Sequence, residues 1–351
     1  MYYGNSLIEC VKSYKYSGLE FSNSGSFNIA KLNLKAKAMT ACFKLKQIID
    51  SNNLSRKVDM SSFNSLIKPI ALYGSEIWGI SMCAPTIQKT LNNMELLPME
   101  KIILSFSRFI LGVHKHTTSA AIRGELGLLP LGIAALKGIL KYKDHIQEAP
   151  DKSLLKHCGK HMSTLSTDPK CWLSIINKTE QLVNQTNRPA NHVKTLQNYT
   201  EHYRELWLKS LNKAEGKLRT YAMFKSNLSF ENYLTIIPIA DHRKALTRLR
   251  TSSHKLAIET GRYKRPKVDL SARVCSLCHT IEDEVHFLIN CPRYNAERTK
   301  LYSVVDTECP NFVLLNDQQK MCYLLTAEGE ILKATAKYCH AAFEKHSSCP
   351  E

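Results

Sequence analysis

The feature that most constrains this chain is a cysteine and histidine motif between Cys275 and Cys291, spaced C-x2-C-x7-H-x4-C. Cys275 and Cys278 lie close enough for one turn to offer both thiolates to a single ion, and His286 and Cys291 would follow on a short helix. Four ligands close a tetrahedral shell, and its three thiolates make a bound Zn²⁺ a poor Lewis acid. The spacing therefore predicts one structural Zn²⁺ held by these four side chains.

Two alternatives accompany this prediction. His279 directly follows Cys278. It is a candidate for an alternative metal ligand, or for a residue that donates a hydrogen bond to one of the ligands. We favour His286 because its neighbours are apolar and suit a small helix packed over a metal. Those neighbours are Val285, Phe287, Leu288 and Ile289. The four residues are also explicable as ordinary thiols and an ordinary histidine in a chain with 12 Cys and 13 His, but such spacing within 17 residues rarely arises by coincidence.

The charge of the chain points to a polyanionic partner. Its 351 residues carry a formal net charge of +17 with 44% hydrophobic residues, which indicates a folded basic protein long enough for two domains. An acidic membrane surface or a solvated basic face would account for the same count. Between Asp241 and Arg273, ten Lys or Arg stand against three Asp or Glu, so almost half of the excess lies just before the metal motif.

We therefore predict that this basic tract contacts the phosphates of RNA or DNA, because clustered Lys and Arg release counterions and Arg also stacks on bases. The predicted contact residues are Arg243, Lys244, Arg248, Arg250, Lys255, Arg262, Lys264, Arg265 and Lys267.

Helical periodicity dominates the chain and predicts a mainly α fold. After a strand and turn ending near Phe21, Leu32, Ala36, Met39 and Phe43 recur at helical spacing and predict the apolar face of a first helix from Asn28. Pro69 is expected to kink a second helix. Further predicted helices start at Ser119, at Leu131 after Pro130, near Trp172, and at an Asn316 cap.

The sequence favours a protein of the cytoplasm or nucleus, neither secreted nor in a membrane. Its cysteines lack the dense layout of a secreted disulfide scaffold, and its first residues lack a signal pattern. The longest apolar runs, such as Gly127–Leu136, are too short and too interrupted to span a bilayer.

Catalytic patterns are weak, and we expect no enzyme and no small-molecule substrate. No two aspartates are adjacent, as a two-metal polymerase site commonly requires, and the glycines form no phosphate-binding loop. A restriction-type nuclease site assembled from Asp151, Glu215 and Lys217 has loose spacing and is the weaker alternative.

Several segments resemble the reverse transcriptases of LINE-type non-LTR retrotransposons. Tyr14-Lys-Tyr16-Ser-Gly18 and the Leu32–Phe43 helix are similar to the region just after that family's catalytic palm, and Pro69–Gly79 resembles its thumb signature. The CCHC motif resembles its C-terminal zinc knuckle. Three more segments fit the same resemblance, namely Phe109–Val113, Leu218–Lys225 and His254–Arg262.

The resemblance implies a nucleic-acid-binding C-terminal fragment without the palm, whose paired aspartates would lie upstream of Tyr14. It implies a helical thumb-like bundle followed by a second helical domain with the knuckle. The expected divisions are a thumb-like region at 1–147, a linker with a short helix at 148–199, a basic helical region at 200–272, the knuckle at 273–293 and C-terminal helices at 294–351. A zinc-stabilised host adaptor that binds proteins remains the alternative.

Overall fold

The chain is mainly α-helical, as predicted. The computed structural model describes residues 2–4, 6–7, 9–52, 55–165, 167–184, 191–211 and 216–348. Within these ranges there are eighteen α-helices, with bounds α1 Asn28–Asn52, α2 Arg56–Ser62, α3 Lys68–Ala71, α4 Ser75–Trp78, α5 Ile87–Glu95, α6 Glu100–Leu111, α7 Ser119–Leu126, α8 Leu131–Glu148, α9 Leu154–Thr164, α10 Trp172–Asn184, α11 His192–Leu211, α12 Tyr221–Phe224, α13 Tyr233–Ile236, α14 Ala240–Arg250, α15 Ala257–Thr260, α16 Asn295–Glu308, α17 Asp317–Thr326 and α18 Gly329–Ser347.

Four short strands in the same ranges form two antiparallel pairs, β1 Tyr2–Tyr3 with β2 Ser6–Leu7 and β3 Ser13–Tyr16 with β4 Leu19–Ser22. Ser17 and Gly18 connect β3 to β4 and both have positive φ, as a two-residue hairpin turn requires. The strand and turn predicted up to Phe21 are therefore confirmed.

Helix ends follow the capping signals of the sequence. The Thr118 side chain accepts a hydrogen bond from the backbone N–H of Ala121, and Gly127 closes α7 in the left-handed conformation at φ +63°. Asn316 caps α17 in a reciprocal pair with Gln319. The predicted starts at Ser119 and Asn316 are both confirmed, because each depends on a local side-chain contact.

The helix around Pro69 is interrupted, as expected. A π-helical turn covers Phe63–Ile67, and α3 begins directly after it with Pro69 in its first turn. Proline has no N–H to donate to the preceding turn, so the regular α-helical ladder breaks there and the wider turn takes its place.

The chain divides into two compact units. The first consists of Met1–Asn53, Met60–Ile103 and Leu129–Tyr203. In it, α8 packs against α4, α5 and a 3₁₀ turn at Gly79–Met82. Gly132 on α8 lies so close to Met94 that an added Cβ would fall 2.4 Å from the Met94 side chain, so this crossing depends on glycine.

The first helix presents a different face to the core than we predicted. Leu32, Met39 and Phe43 are 56%, 52% and 64% exposed. The buried row of α1 is Ala30, Leu34, Ala38, Cys42, Leu45 and Ile49. Both rows have helical spacing, and the small alanines of the second row suit the close packing of α1 on α3 and the π-helical turn. The expectation for this face was wrong because apolar spacing alone could not choose between two rows.

The second unit consists of Leu54–Asp59, Leu104–Leu128 and Arg204–Glu351. Its centre is α18, which packs against α14, α16 and α17. Phe287 stacks on Phe343 of α18 with ring centroids 4.6 Å apart and meets Tyr294 edge to face at 4.9 Å. These rings attach the segment of the Cys and His motif to the core of the unit.

The boundaries of the two units differ from those of the predicted domains. The predicted domain divisions themselves stay a prediction. The predicted linker at 148–199 contains α9, α10 and the start of α11, and its described residues belong to the first unit. Ile176 of α10 is buried, and Tyr199 donates a hydrogen bond to the Thr179 carbonyl at 3.0 Å. The helix predicted near Trp172 is confirmed.

Throughout the described ranges, no single helix combines the length and the apolar character needed to cross a membrane.

Candidate metal centre and basic surface

A tight turn places the first two cysteines of the motif side by side. The backbone N–H of Cys275 donates to Thr280 O at 2.8 Å, and that of His279 donates to Cys275 O at 3.0 Å. His279 itself takes the left-handed conformation at φ +53° and its side chain is exposed. His279 therefore forms the turn, and Cys275 and Cys278 face one site as the C-x2-C spacing predicts.

A short π-helix supplies the other two members of the motif. It runs over His286–Asn290, and Asp283 Oδ1 accepts a hydrogen bond from the His286 N–H at 2.8 Å at its start. The N–H of Cys291 donates to His286 O at 2.8 Å, so the wider turn returns Cys291 to the side of His286. The sequence indicated a short helix here but not its π geometry.

The four side chains form a cluster that could hold a metal ion. Ligand atoms of Cys275, Cys278, His286 and Cys291 all lie within 4.8 Å of one another. The Sγ atom of Cys291 is 4.0 Å from that of Cys275 and 3.8 Å from that of Cys278. Tetrahedral Zn–S bonds of about 2.3 Å place two sulfur atoms about 3.8 Å apart, so these separations fit a shared ion.

The two ring nitrogens of His286 have different surroundings. Nδ1 lies 3.3 Å from Thr280 Oγ1, whereas Nε2 is buried without a hydrogen-bond partner. A buried nitrogen of this kind carries a free-energy cost unless something binds it. Nε2 is therefore the nitrogen left to bind a metal, with Nδ1 oriented by Thr280.

Without a metal the thiols of Cys278 and Cys291 hold their protons. Burial, and then the neighbouring Cys275 and Cys278, raise the pKa of Cys291 to about 12. Burial also raises the pKa of the Cys278 thiol, and it lowers the pKa of His286, which keeps the imidazole neutral. A metal would bind the neutral imidazole directly and displace protons from the thiols. Metal affinity at this cluster should therefore rise with pH.

Buried acids between the two halves of the motif attach it to the rest of the unit. Glu284 accepts hydrogen bonds from Arg219 Nη2 at 2.7 Å, from Ser252 Oγ at 3.0 Å and from His254 Nε2 at 2.9 Å. Burial opposes the ionisation of Glu284, but the hydrogen bond and charge of His254 and the charge of Arg219 prevail and lower its pKa. Glu282 accepts a bond from the N–H of Ala257 at 2.7 Å. Sequence analysis missed both acids, whose partners are distant in the chain.

Arg298 fixes the far side of the cluster. Its Nε donates to Leu288 O at 3.1 Å, its Nη2 to Cys291 O at 2.8 Å and its Nη1 to Asn295 Oδ1 at 2.7 Å. The side chain is buried, and Tyr338 donates to the Phe287 carbonyl at 2.7 Å nearby. Carbonyl groups left unpaired by the π-helix are thereby satisfied.

The nine predicted contact residues of the basic tract occupy different environments. Five are exposed, namely Arg248, Lys255, Lys264, Arg265 and Lys267. Three are partly buried and bonded to the protein, namely Arg243, Lys244 and Arg262. Together they leave positive charge at the surface of the second unit, but only the five exposed residues present it directly to solvent.

Arg250 must be withdrawn from the predicted contacts. It is 1% exposed and pairs with Glu125 at 3.1 Å and with Glu231 at 2.6 Å. Its guanidinium also lies over the rings of Phe224 and Tyr233, at 4.7 and 4.9 Å from their centroids. The guanidinium contacts groups inside the protein, so no phosphate can reach it in this conformation.

A further basic segment joins this surface and was missed. His114, Lys115 and His116 are all exposed in the loop after α6. The His114 N–H donates to Ser253 Oγ at 2.8 Å, which connects this loop to the middle of the tract. The His-Lys-His sequence was a visible signal, but only the tertiary contact shows where it lies.

Comparisons with family models, with curated proteins and with solved structures found no match to this chain.

Proposed function

We propose that this chain binds RNA or DNA through a basic surface, and that Cys275, Cys278, His286 and Cys291 hold one structural Zn²⁺ beside it. The observation that carries the zinc part of the proposal is the buried, unpartnered Nε2 of His286 within a cluster whose sulfur separations fit a tetrahedral ion. Three sulfurs and one nitrogen are the donor set of structural zinc sites, which supports zinc over harder ions.

A structural role suits this site because four protein ligands leave no position for a reactive water. The chain's own residues complete the site. Thr280 orients the imidazole. The Arg293 backbone N–H bonds to Cys291, and its guanidinium, which donates to Ser276 Oγ at 2.9 Å, brings positive charge towards Cys278. That charge offsets the negative charge of three thiolates.

Nucleic acid is the proposed partner because the exposed cations outnumber the acids around them. In the tract, Lys264, Arg265 and Lys267 are exposed within four residues. A polyanion gains affinity from each phosphate that such a cation neutralises, through the release of counterions. Because the same unit holds the metal cluster and the buried acid network, these cations extend from a rigid base.

We also propose that the chain derives from the thumb and knuckle region of a non-LTR retrotransposon reverse transcriptase. The support is the sequence resemblance at Pro69–Gly79 and the order of that signature and the CCHC motif. Polymerisation is not part of the proposal, because no two aspartates are adjacent in the chain. Primer extension with magnesium or manganese should give no product above a buffer control, and reproducible extension by pure protein would contradict this.

The metal is tested by elemental analysis of protein purified without chelators. We expect about one zinc per chain, and a Cys278→Ser variant should lose it. Cys158→Ser is the matched control, since Cys158 is an exposed cysteine of the first unit and should leave the metal content unchanged. Full retention of zinc by Cys278→Ser would show that the cluster is not the site.

Nucleic-acid binding is tested by fluorescence anisotropy with a labelled oligonucleotide over a series of salt concentrations. If the five exposed cations of the tract each meet one phosphate, the logarithm of the affinity should fall against the logarithm of salt with a slope of about −3 to −5. Absence of binding at low salt, or a slope near zero, would contradict the proposal.

One observation favours the adaptor alternative. The exposed row of Leu32, Met39 and Phe43 on α1 is apolar, as at surfaces that bind proteins. An adaptor would retain zinc but would bind oligonucleotides weakly and without a steep salt dependence. The same anisotropy series therefore separates the two functions.

A further inference from the structure

An exposed tyrosine lies among cations that come from three separate parts of the second unit. Tyr263, just after α15, is 58% exposed. Its ring stacks on that of His116, with centroids 6.2 Å apart and planes inclined by 28°. The Nζ atom of Lys217 lies 5.2 Å from the centroid of the Tyr263 ring. More than half of the tyrosine stays accessible despite these contacts.

The group is held in place by hydrogen bonds that do not use the face of the ring. Lys217 Nζ donates to His116 O at 3.4 Å and lies 3.9 Å from Glu259 Oε2. The His116 N–H donates to His114 Nδ1 at 3.3 Å, and the His114 N–H donates to Ser253 Oγ. The rings are therefore positioned before any ligand arrives, which reduces the entropy lost on binding.

The surroundings of the ring are strongly positive. Burial, and then the charges of His116, Lys217 and Lys115, lower the pKa of His114. Lys264 and Arg265 follow Tyr263 in sequence and are also exposed. A ligand with both a flat aromatic face and negative charge would meet a complement to each.

We propose that Tyr263 and His116 form a stacking platform for an unpaired nucleobase, while the exposed Lys115 and Lys264 receive the phosphates on either side of it. This inference rests on the proposed nucleic-acid binding and narrows it to single-stranded RNA or DNA. In a duplex the faces of each base are covered by the neighbouring bases. An aromatic side chain therefore has no free base on which to stack, and the platform adds no affinity for a duplex. Aromatic stacking tolerates any base, so no strong sequence preference is expected.

The experiment uses the full zinc-bound chain with a labelled single strand and with the duplex of the same sequence at one salt concentration. Tyr263→Ala should weaken single-strand binding about tenfold and leave duplex binding nearly unchanged. Its salt slope should equal that of the unaltered protein, because the tyrosine neutralises no phosphate. Tyr263→Phe should retain the affinity, since the ring and not the hydroxyl provides the contact.

The thermal unfolding temperature serves as the control for folding. Because Tyr263 is exposed, its substitution should leave that temperature unchanged. If single strand and duplex bind equally and Tyr263→Ala behaves as the unaltered protein does, the platform is overturned while nucleic-acid binding stands. If neither form binds at low salt, the proposed function and the platform are both overturned. A loss of affinity in Tyr263→Phe equal to that in Tyr263→Ala would overturn stacking as the cause.

Discussion

Arg248 and Arg250 lie two residues apart on α14 and occupy opposite environments. Arg248 is exposed and donates one bond, to Gly112 O at 2.8 Å. Arg250 is buried against Glu125 and Glu231. The same division separates Lys264 and Arg265, which are exposed beside Tyr263, from the half-buried Arg219 and the buried His254, which bond to Glu284. Residue type therefore does not separate the exposed cations that we propose for nucleic-acid binding from the structural ones, whereas burial beside an acidic partner does.

The largest effect should come from removing the Zn²⁺ that we propose is held by Cys275, Cys278, His286 and Cys291. In zinc-binding peptides the metal contributes about 10 to 16 kcal/mol of apparent free energy at neutral pH, although this chain also has an apolar core. We expect a chelator to lower the unfolding temperature of the protein markedly, as followed by circular dichroism. The Cys278→Ser variant should show no further decrease with chelator, and a decrease there would place the metal elsewhere.

Arg250→Met should cost about 3–5 kcal/mol in the free energy of unfolding, because it removes the arginine that pairs with the buried Glu125 carboxylate. Urea unfolding measures this change. Arg248→Met is the matched control and should change stability by less than about 0.5 kcal/mol. If Arg250→Met unfolds like the unaltered protein but loses nucleic-acid affinity, the proposed distinction between a structural Arg250 and a nucleic-acid-binding Arg248 is contradicted.

Replacing the exposed cations Arg248, Lys264, Arg265 and Lys267 with Gln should reverse that pattern. Stability should change little. The salt dependence of nucleic-acid binding should become shallower, with the magnitude of its slope reduced by about 3 to 4 units if each residue meets one phosphate. An α1 variant with the same loss of charge provides the comparison, with Gln in place of Lys31, Lys35, Lys37 and Lys44. A greater loss of affinity in the α1 variant would assign the contact surface to the first unit.

The smallest expected effect concerns pH. Burial and neighbouring positive charges lower the pKa of His114. The imidazole is therefore neutral at pH 7 and gains its proton only below the usual pKa of histidine. A bound polyanion favours the protonated form, so affinity should rise as the pH falls below about 6.5. His114→Ala should reduce this rise by a factor of about two or three in affinity. An unchanged pH profile in His114→Ala would exclude it from the surface.

The metal cluster could be predicted from sequence because its ligands lie within 17 consecutive residues and local geometry brings them together. Helix ends at Thr118 and Asn316 were equally local. The face of α1 could not be chosen, since two apolar rows with the same spacing differ only in what packs against them. Such a choice is made by tertiary contacts that spacing does not encode.

The sequence does contain a signal for the burial of Arg250. At 3.6 residues per turn, Arg250 lies one turn after the buried Leu246 and beside Leu249, on the apolar side of α14. Arg248 lies on the other side. The contacts around Tyr263 had no such signal, because His116, Lys217 and Tyr263 are separated by long stretches of chain.

Arg298 shows that two residues of equal charge are not interchangeable in this fold. Its guanidinium reaches two backbone carbonyls and one side-chain amide at once, in a fixed planar arrangement. A lysine at this position would preserve the charge but, with its single nitrogen, could not reach all three acceptors. Scoring schemes that treat Arg and Lys as equivalent would therefore class this exchange as harmless, although it would unsettle the segment that carries His286 and Cys291.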